Sequence, residues 1–125
     1  MEPLPEFREI VSTAVREFGP ASGAPEIIPF GAALVSLARR NPELREQMEA
    51  EFIACLGHAP LELLEFCMHA LRWENLKAYF QSQQSAAIAK DDWRAEPFYR
   101  SLVEAFDDDW EDARDFYTAY FRAAV

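Results

Sequence analysis

Three ionisable side chains lie on one stripe of the most apolar segment of the chain. Glu62, Glu65 and His69 are separated by three and four residues, so a helix places them on one face. Carboxylates and an imidazole on one helix face are the ligand types that a metal site in a helical bundle needs. Their spacing differs from the Glu-x-x-His motif of such sites, and no second segment offers a matching set. We therefore expect a solvated stripe in which Glu65 and His69 pair, with a metal- or ligand-binding bundle as the alternative.

The other residue patterns indicate no reaction. The chain has two histidines, no G-x-S-x-G nucleophile motif, and four scattered glycines that form no phosphate-binding loop. A zinc site of Cys55, His58, Cys67 and His69 is disfavoured, because Cys67 and His69 are two residues apart and point to different sides of a helix. We predict that the protein is not an enzyme and holds no cofactor.

Acidic side chains are concentrated near the C-terminus. Seven of them fall within residues 104–115 and are opposed there only by Arg114, so this segment has a net charge of −6. A few acids at a helix N-terminus stabilise the helix, but that effect does not need this many. The segment is either a solvated, solubilising face or a docking face for a basic protein. The acids assigned to the docking face are Asp107, Asp108, Asp109, Glu111, Asp112 and Asp115.

Aromatic side chains are enriched in the same half of the chain. Thirteen of the seventeen aromatic residues lie from Phe66 onward, more than one helix stripe can bury near the C-terminus. Tyrosines beside acids are typical of protein interfaces, so Tyr79, Tyr99 and Tyr117 are predicted to join the partner-binding surface. Ordinary packing in the core is the other interpretation of these residues.

The overall charge limits the kinds of partner. The net charge is −10 and the pI is near 4.6, which disfavours nucleic acids and anionic membranes and favours a basic protein surface. No apolar run approaches the roughly 20 residues of a membrane span. The acidic, proline-containing N-terminus does not resemble a secretory signal. We therefore expect a cytoplasmic protein with reduced cysteines, and a homo-oligomer is compatible with the sequence.

Helical periodicity without any period-two alternation predicts an all-α fold of six to seven short helices in antiparallel hairpins. The fourth helix is apolar on most of its circumference, so we expect it in the middle of a single domain that spans residues 1–125. The predicted helices span residues 3–18, 26–40, 42–56, 60–72, 73–90, 97–106 and 110–124.

Two segments of the chain are similar to one another. Pro60 lies thirteen residues before Trp73, and Pro97 lies thirteen before Trp110. The tryptophans begin the sequences W-E-N-L-K-A-Y-F and W-E-D-A-R-D-F-Y, at an offset of 37 residues. This layout resembles the two-helix repeats of HEAT and armadillo proteins. The resemblance implies a small α-solenoid with repeats at 26–57, 60–90 and 96–125, whereas an irregular helical bundle with both tryptophans as core anchors is the alternative.

Together these patterns predict a small acidic module for protein–protein interaction. A concrete form is a small bacterial inhibitor of the immunity type that masks a basic toxin or nuclease. The alternative is a bundle that binds a metal or ligand through Glu62, Glu65 and His69. A nucleic-acid mimic is disfavoured, because the acids are clustered instead of spread over two faces.

Overall fold

The computed structural model describes residues 2–19 and 25–123, with side chains described through residue 121. Within these ranges the chain forms eight α-helices, one 3₁₀ turn at Pro42–Leu44 and no strand, which confirms the predicted all-α fold. The helices are α1 Pro3–Phe18, α2 Ile28–Arg40, α3 Arg45–Ala54, α4 Leu61–Leu71, α5 Glu74–Ala89, α6 Ala95–Glu104, α7 Glu111–Asp115 and α8 Thr118–Ala123.

Two helix boundaries differ from the prediction. The predicted last helix is divided into α7 and α8, because the backbone N–H groups of Phe116 and Tyr117 both donate to the Asp112 carbonyl oxygen and end α7. Helix α6 begins at Ala95, ahead of Pro97, because Asp92 Oδ1 accepts hydrogen bonds from the N–H groups of Arg94 and Ala95.

Helix α4 is the buried centre of the fold, as its composition predicts. It packs against α2 on one side and α6 on another. At its middle, the fully buried ring of Phe66 contacts Gly31 of α2 and the rings of Tyr117, Tyr120 and Phe121. The burial of this apolar helix contributes hydrophobic stabilisation to the core. The buried α4 side chains around Phe66 are Leu63, Leu64, Cys67 and Met68.

The polar stripe of α4 lies along α6 in a fixed register. Glu65 contacts Ser101, His69 contacts the Ala105 carbonyl, and Arg72 contacts Asp108, each pair being 36 residues apart. A constant offset over three contacts means that α4 and the α6 segment run side by side in the same direction. Equivalent helices of stacked two-helix repeats pack in this way.

The repeat interpretation itself stays a prediction. Trp73 and Trp110 each precede a helix, but α5 has 16 residues and α7 has five, so the two segments are alike at their start and unlike in length.

Among the described helices, none has the length and apolar character needed to cross a membrane. Cys55 and Cys67 are both free thiols, and Cys67 is buried.

Close approach of α2 to α4 requires glycine at position 31. A Cβ atom there would lie 2.3 Å from Cδ1 of Phe66, whose ring is fully buried. We expect Gly31→Ala to lower the free energy of unfolding by about 1–3 kcal/mol through overpacking, despite the better helix propensity of alanine. Urea denaturation followed by circular dichroism measures this change.

The control is Ser36→Ala, an exposed position on the same helix, which we expect to change stability by less than about 0.5 kcal/mol. A Gly31→Ala variant as stable as the wild type would contradict the close packing of α2 on Phe66.

Candidate functional site

An acidic groove of about 540 Å³ lies where α4, α6 and α7 meet. Helix α4 contributes Glu65, and α6 contributes Ser101 and Glu104. The other lining residues come from the loop after α6 and the start of α7. The groove therefore unites the acid run with a glutamate distant in sequence. We define the acidic groove by its lining residues: Glu65, Ser101, Glu104, Asp107, Asp109, Trp110, Glu111 and Asp112.

Trp110 anchors the loop that carries most of these acids. Its side chain is only 8% exposed and packs beside the rings of His69 and Tyr117, with centroid distances of 5.0 and 5.8 Å. Consecutive turns also fold the loop, since Asp107 N–H donates to the Glu104 carbonyl and Trp110 N–H donates to the Asp107 carbonyl. The acids before and after Trp110 are thus held in place by a buried aromatic side chain.

Glu65 lies at the inner end of the acidic groove. It is 7% exposed, and its Oε2 accepts a hydrogen bond of 2.8 Å from the Ser101 hydroxyl. Burial raises the pKa of Glu65 to about 7; the charges of Asp112, Glu62 and Glu104 add to this, while the Ser101 bond opposes it. Glu65 is therefore a carboxyl group whose negative charge is poorly compensated by the folded protein.

Asp112, on the wall of the groove, has a similar environment. Partial burial raises its pKa, and the neighbouring charges of Asp115, Glu62 and Glu111 contribute in the same direction. The acids of the groove repel one another, so a cation placed among them would relieve that repulsion.

Few of the predicted docking acids are neutralised within the described part of the protein. Asp108 pairs with Arg72 at 2.7 Å, and Asp115 with Arg114 at 3.4 Å. The side chains described through residue 121 provide no ion pair for the remaining acids of this region. These unpaired acids are Glu65, Glu104, Asp107, Asp109, Glu111 and Asp112.

The predicted solvated stripe on α4 is wrong. Glu65 and His69 are both buried, at 7% and 8% exposure, and they bond to α6 instead of to each other. His69 Nδ1–H donates to the Ala105 carbonyl at 2.7 Å, and its ring packs at a tilt of 39° against the ring of Trp110. Burial lowers the pKa of His69, with Arg72 adding to the effect, while the Ala105 bond and Asp108 oppose it.

The structure also separates the three residues of the alternative metal site. His69 lines a second groove, of about 410 Å³, which shares Asp109 and Trp110 with the acidic groove but not Glu65. Over the described ranges, no group of three or more His, Cys, Asp or Glu side chains is arranged to hold a metal ion. A metal site formed by Glu62, Glu65 and His69 thus finds no support in the fold.

The three predicted tyrosines are not on one surface. Tyr117 is fully buried between aromatic rings, so its assignment to the partner-binding surface is wrong. Its position at the break between α7 and α8 turns it into the core. Tyr79 on α5 and Tyr99 on α6 are half-buried, lie near one another and do not line the acidic groove.

Trp93 is an exposed side chain that the sequence analysis did not single out. It is 73% exposed at the turn between α5 and α6, next to Ile88, which is 63% exposed. The hydrogen bonds of Asp92 to the start of α6 hold this turn. The sequence did contain a signal for this exposed side chain, because the tryptophan directly follows two consecutive aspartates at the end of a helix. Exposed tryptophans on ordered turns are typical binding hot spots.

Comparison of the chain with protein-family models, curated proteins and solved structures finds no match.

Glu65 should make the stability of the protein depend on pH in a defined direction. Its folded-state pKa of about 7 lies above its ordinary value of 4.5, so its contribution is fully present below about pH 4.5 and is lost as the pH rises through 7. In Glu65→Gln this loss is absent. We expect the variant to gain on the order of 2 kcal/mol relative to the wild type between pH 5 and pH 8, measured by urea denaturation.

Ser101→Ala is the companion variant, because it removes the hydrogen bond that lowers the pKa of Glu65. Its stability relative to the wild type should fall as the pH rises over the same range. A difference between Glu65→Gln and the wild type that does not vary with pH would show that Glu65 is not held in a raised-pKa environment.

Proposed function

We propose that this protein is a small interaction module that binds a basic protein partner through its acidic groove and the exposed acids around it. The observation that carries the proposal is the set of carboxylates in the groove for which the described side chains supply no counter-charge. A folded protein keeps such a set at a cost in stability, and a cationic partner offsets that cost.

The charge of the whole molecule supports the same assignment. A net charge of −10 steers a basic partner toward the protein and speeds association at low ionic strength. Direct binding to nucleic acid phosphates would require the opposite sign. Trp93 offers an apolar contact at a separate point on the surface, at the N-terminal end of α6.

In its narrower form the proposal is an inhibitor of the immunity type, which covers the functional surface of a basic toxin or nuclease. The support is the small size, the acidity and the lack of a recognisable catalytic motif in the sequence. The cytoplasm is the compartment we propose for such a role, and no cofactor is part of it.

Charge reversal on the groove tests the main proposal. The test variant combines Asp107→Lys, Asp109→Lys and Glu111→Lys, three exposed acids without an ion pair among the described side chains. We expect it to lose partner capture by about tenfold or more, because attraction becomes repulsion at the contact. The measurement is affinity capture from host lysate at ~50 mM and ~500 mM salt, with identification of the captured protein and assay of its activity.

The matched control carries Glu17→Lys, Glu43→Lys and Glu46→Lys, which change the net charge by the same amount at exposed positions on α1, the 3₁₀ turn and α3. It should capture the same protein as the wild type. Equal capture by both triple variants would refute a role for the acidic groove. Inhibition of the captured protein's activity is the result that the immunity form requires.

A further inference from the structure

The turn between α5 and α6 exposes two large apolar side chains that border one cleft. Trp93 is 73% exposed and Ile88 is 63% exposed. Single exposed apolar side chains are ordinary on a protein surface, but these two share a cleft of about 390 Å³. The apolar residues that line this cleft, which we call the Trp93 cleft, are Ala87, Ile88, Trp93 and Pro97.

The backbone of this turn is fixed where α5 ends. The Asp92 N–H donates to the Ala87 carbonyl at 2.8 Å, and the Asp91 N–H donates to the Ile88 carbonyl at 3.1 Å, which are the paired bonds of a Schellman motif. Asp91 has the left-handed conformation that the motif requires, with φ 57°, at a position where glycine is usual. The aspartate accepts a backbone conformation that glycine adopts more easily, and it adds a carboxylate to the cleft.

Trp93 is held in position from the side of α6. Asp92 Oδ1 accepts hydrogen bonds from the N–H groups of Arg94 and Ala95, where α6 begins. The Arg94 guanidinium group lies over the Trp93 ring, 5.3 Å from the ring centroid. A side chain that is restrained before it binds loses less conformational entropy on binding. Trp93 is therefore a pre-organised contact on the surface.

The charged side chains that line the Trp93 cleft are all acidic. They are Asp91, Asp92 and Glu96, whereas the basic residues of the same turn, Lys90 and Arg94, do not line it. Asp91 and Asp92 form no ion pair with the described side chains. The cleft thus combines an apolar lining with a negatively charged rim, and its charge complements that of a basic segment.

We propose that the Trp93 cleft is a second docking site for the basic partner, and that it takes a short segment in which aliphatic side chains are flanked by lysine or arginine. The aliphatic side chains pack against Trp93, Ile88 and Pro97, and the flanking cations lie near Asp91 and Glu96. The inference rests on the proposed function for the basic character of the partner, but the surface that it names is separate from the acidic groove.

The two surfaces lie at opposite ends of α6. Trp93 precedes the first residue of this helix, whereas the acidic groove takes Ser101 and Glu104 from its C-terminal half. The helix has 10 residues and is therefore about 15 Å long. An interface of ordinary size covers about 800 Å² on each protein, so the distance between the two surfaces is within the reach of one partner.

Other occupants fit the Trp93 cleft less well. A second copy of this chain also has a net charge of −10, and a symmetric contact would place the acids of one cleft against those of the other. An aliphatic segment without cations would cover the carboxylates of Asp91 and Asp92 and give them no counter-charge. A basic segment with aliphatic side chains satisfies both the apolar lining and the acidic rim.

The direct test uses a defined peptide, acetylated and amidated at its ends, with the sequence lysine–lysine–leucine–leucine–lysine–lysine. It is titrated into the intact chain while the indole N–H of Trp93 is followed by ¹H–¹⁵N NMR, and this signal is assigned by its loss in Trp93→Ala. We expect saturable shifts at Trp93 and Ile88. Replacement of the leucines by serine, or of the lysines by glutamate, should weaken binding by about tenfold or more. An affinity unchanged by either replacement would overturn the proposal.

Trp93→Ala tests the central apolar contact. We expect it to weaken binding of the lysine–leucine peptide by about tenfold or more, because an exposed tryptophan supplies much of the apolar contact area. Since Trp93 is 73% exposed, circular dichroism should show an unchanged fold. The matched control is Phe116→Ala, which removes an exposed aromatic side chain outside the cleft and should bind within about twofold of the wild type. Equal affinities of the two variants would refute the cleft.

Asp91→Asn tests the acidic rim. Asparagine adopts the left-handed conformation readily, so the turn is kept while the charge is lost. We expect several-fold weaker binding of the lysine–leucine peptide at ~50 mM salt and a smaller difference at ~500 mM salt. Glu96 is left unchanged, because it contacts Arg100 and Gln84.

Glu43→Gln is the control for Asp91→Asn, because it removes one charge at an exposed position on the 3₁₀ turn. Its affinity should stay within about twofold of the wild type. If Asp91→Asn binds the peptide as tightly as Glu43→Gln does, the rim does not select a basic segment and the proposed occupant is wrong.

Two further measurements distinguish the other occupants. We expect the wild type to sediment as a monomer and not to bind phosphatidylcholine vesicles. A dimer that Trp93→Ala abolishes would assign the cleft to a second copy of this chain. Vesicle binding that Trp93→Ala abolishes would assign it to a lipid surface. Either result would overturn the proposal.

The two proposals fail in different ways. If the peptide does not bind at Trp93 while the groove triple-lysine variant loses the partner, the Trp93 cleft is wrong and the interaction function of the acidic groove stands. If the triple-lysine variant still captures the partner, the function assigned to the groove is wrong, and binding of the peptide at Trp93 still decides the cleft.

Discussion

The structure depends on one constraint: the polar side chains along one side of a buried helix must find hydrogen-bond partners. Helix α4 must be buried because most of its surface is apolar, yet it carries Glu65 and His69 along one side, with Arg72 directly after its last residue. The fold meets this requirement by laying α6 and its following loop along the stripe, with one contact for each polar residue. The register of α4 on α6, and with it the position of the acid-rich loop, follows from these contacts.

The three contacts differ in how well they compensate the charge of the polar side chain. The candidate site lies where the charge is compensated least. His69 donates a hydrogen bond to a backbone carbonyl, and Arg72 is paired with Asp108 at the surface. Glu65 receives only a hydroxyl, in a groove whose other walls are acidic. A serine cannot compensate a buried negative charge as a cation can. The fold thus concentrates its electrostatic strain at one place, which is the place where a cationic ligand would gain most.

The sequence was sufficient for the fold class and for the buried position of α4, because apolar periodicity reports burial directly. It was insufficient for the site, because the acid run is a local pattern, whereas Glu65 and Ser101 meet only through the packing of α4 on α6, 36 residues apart. Tyr117 was misassigned for a similar reason. The end of α7 is set by backbone hydrogen bonds to Asp112, and without that break the side chain would be expected on a longer helix.

The most direct test of the account is the pKa of Glu65, measured by NMR of its side-chain carboxyl carbon over a pH titration of the protein. The account predicts a pKa near 7, because the carboxyl group is buried and no cation compensates its charge. A Glu65 pKa close to the ordinary carboxyl value of 4.5 would contradict it.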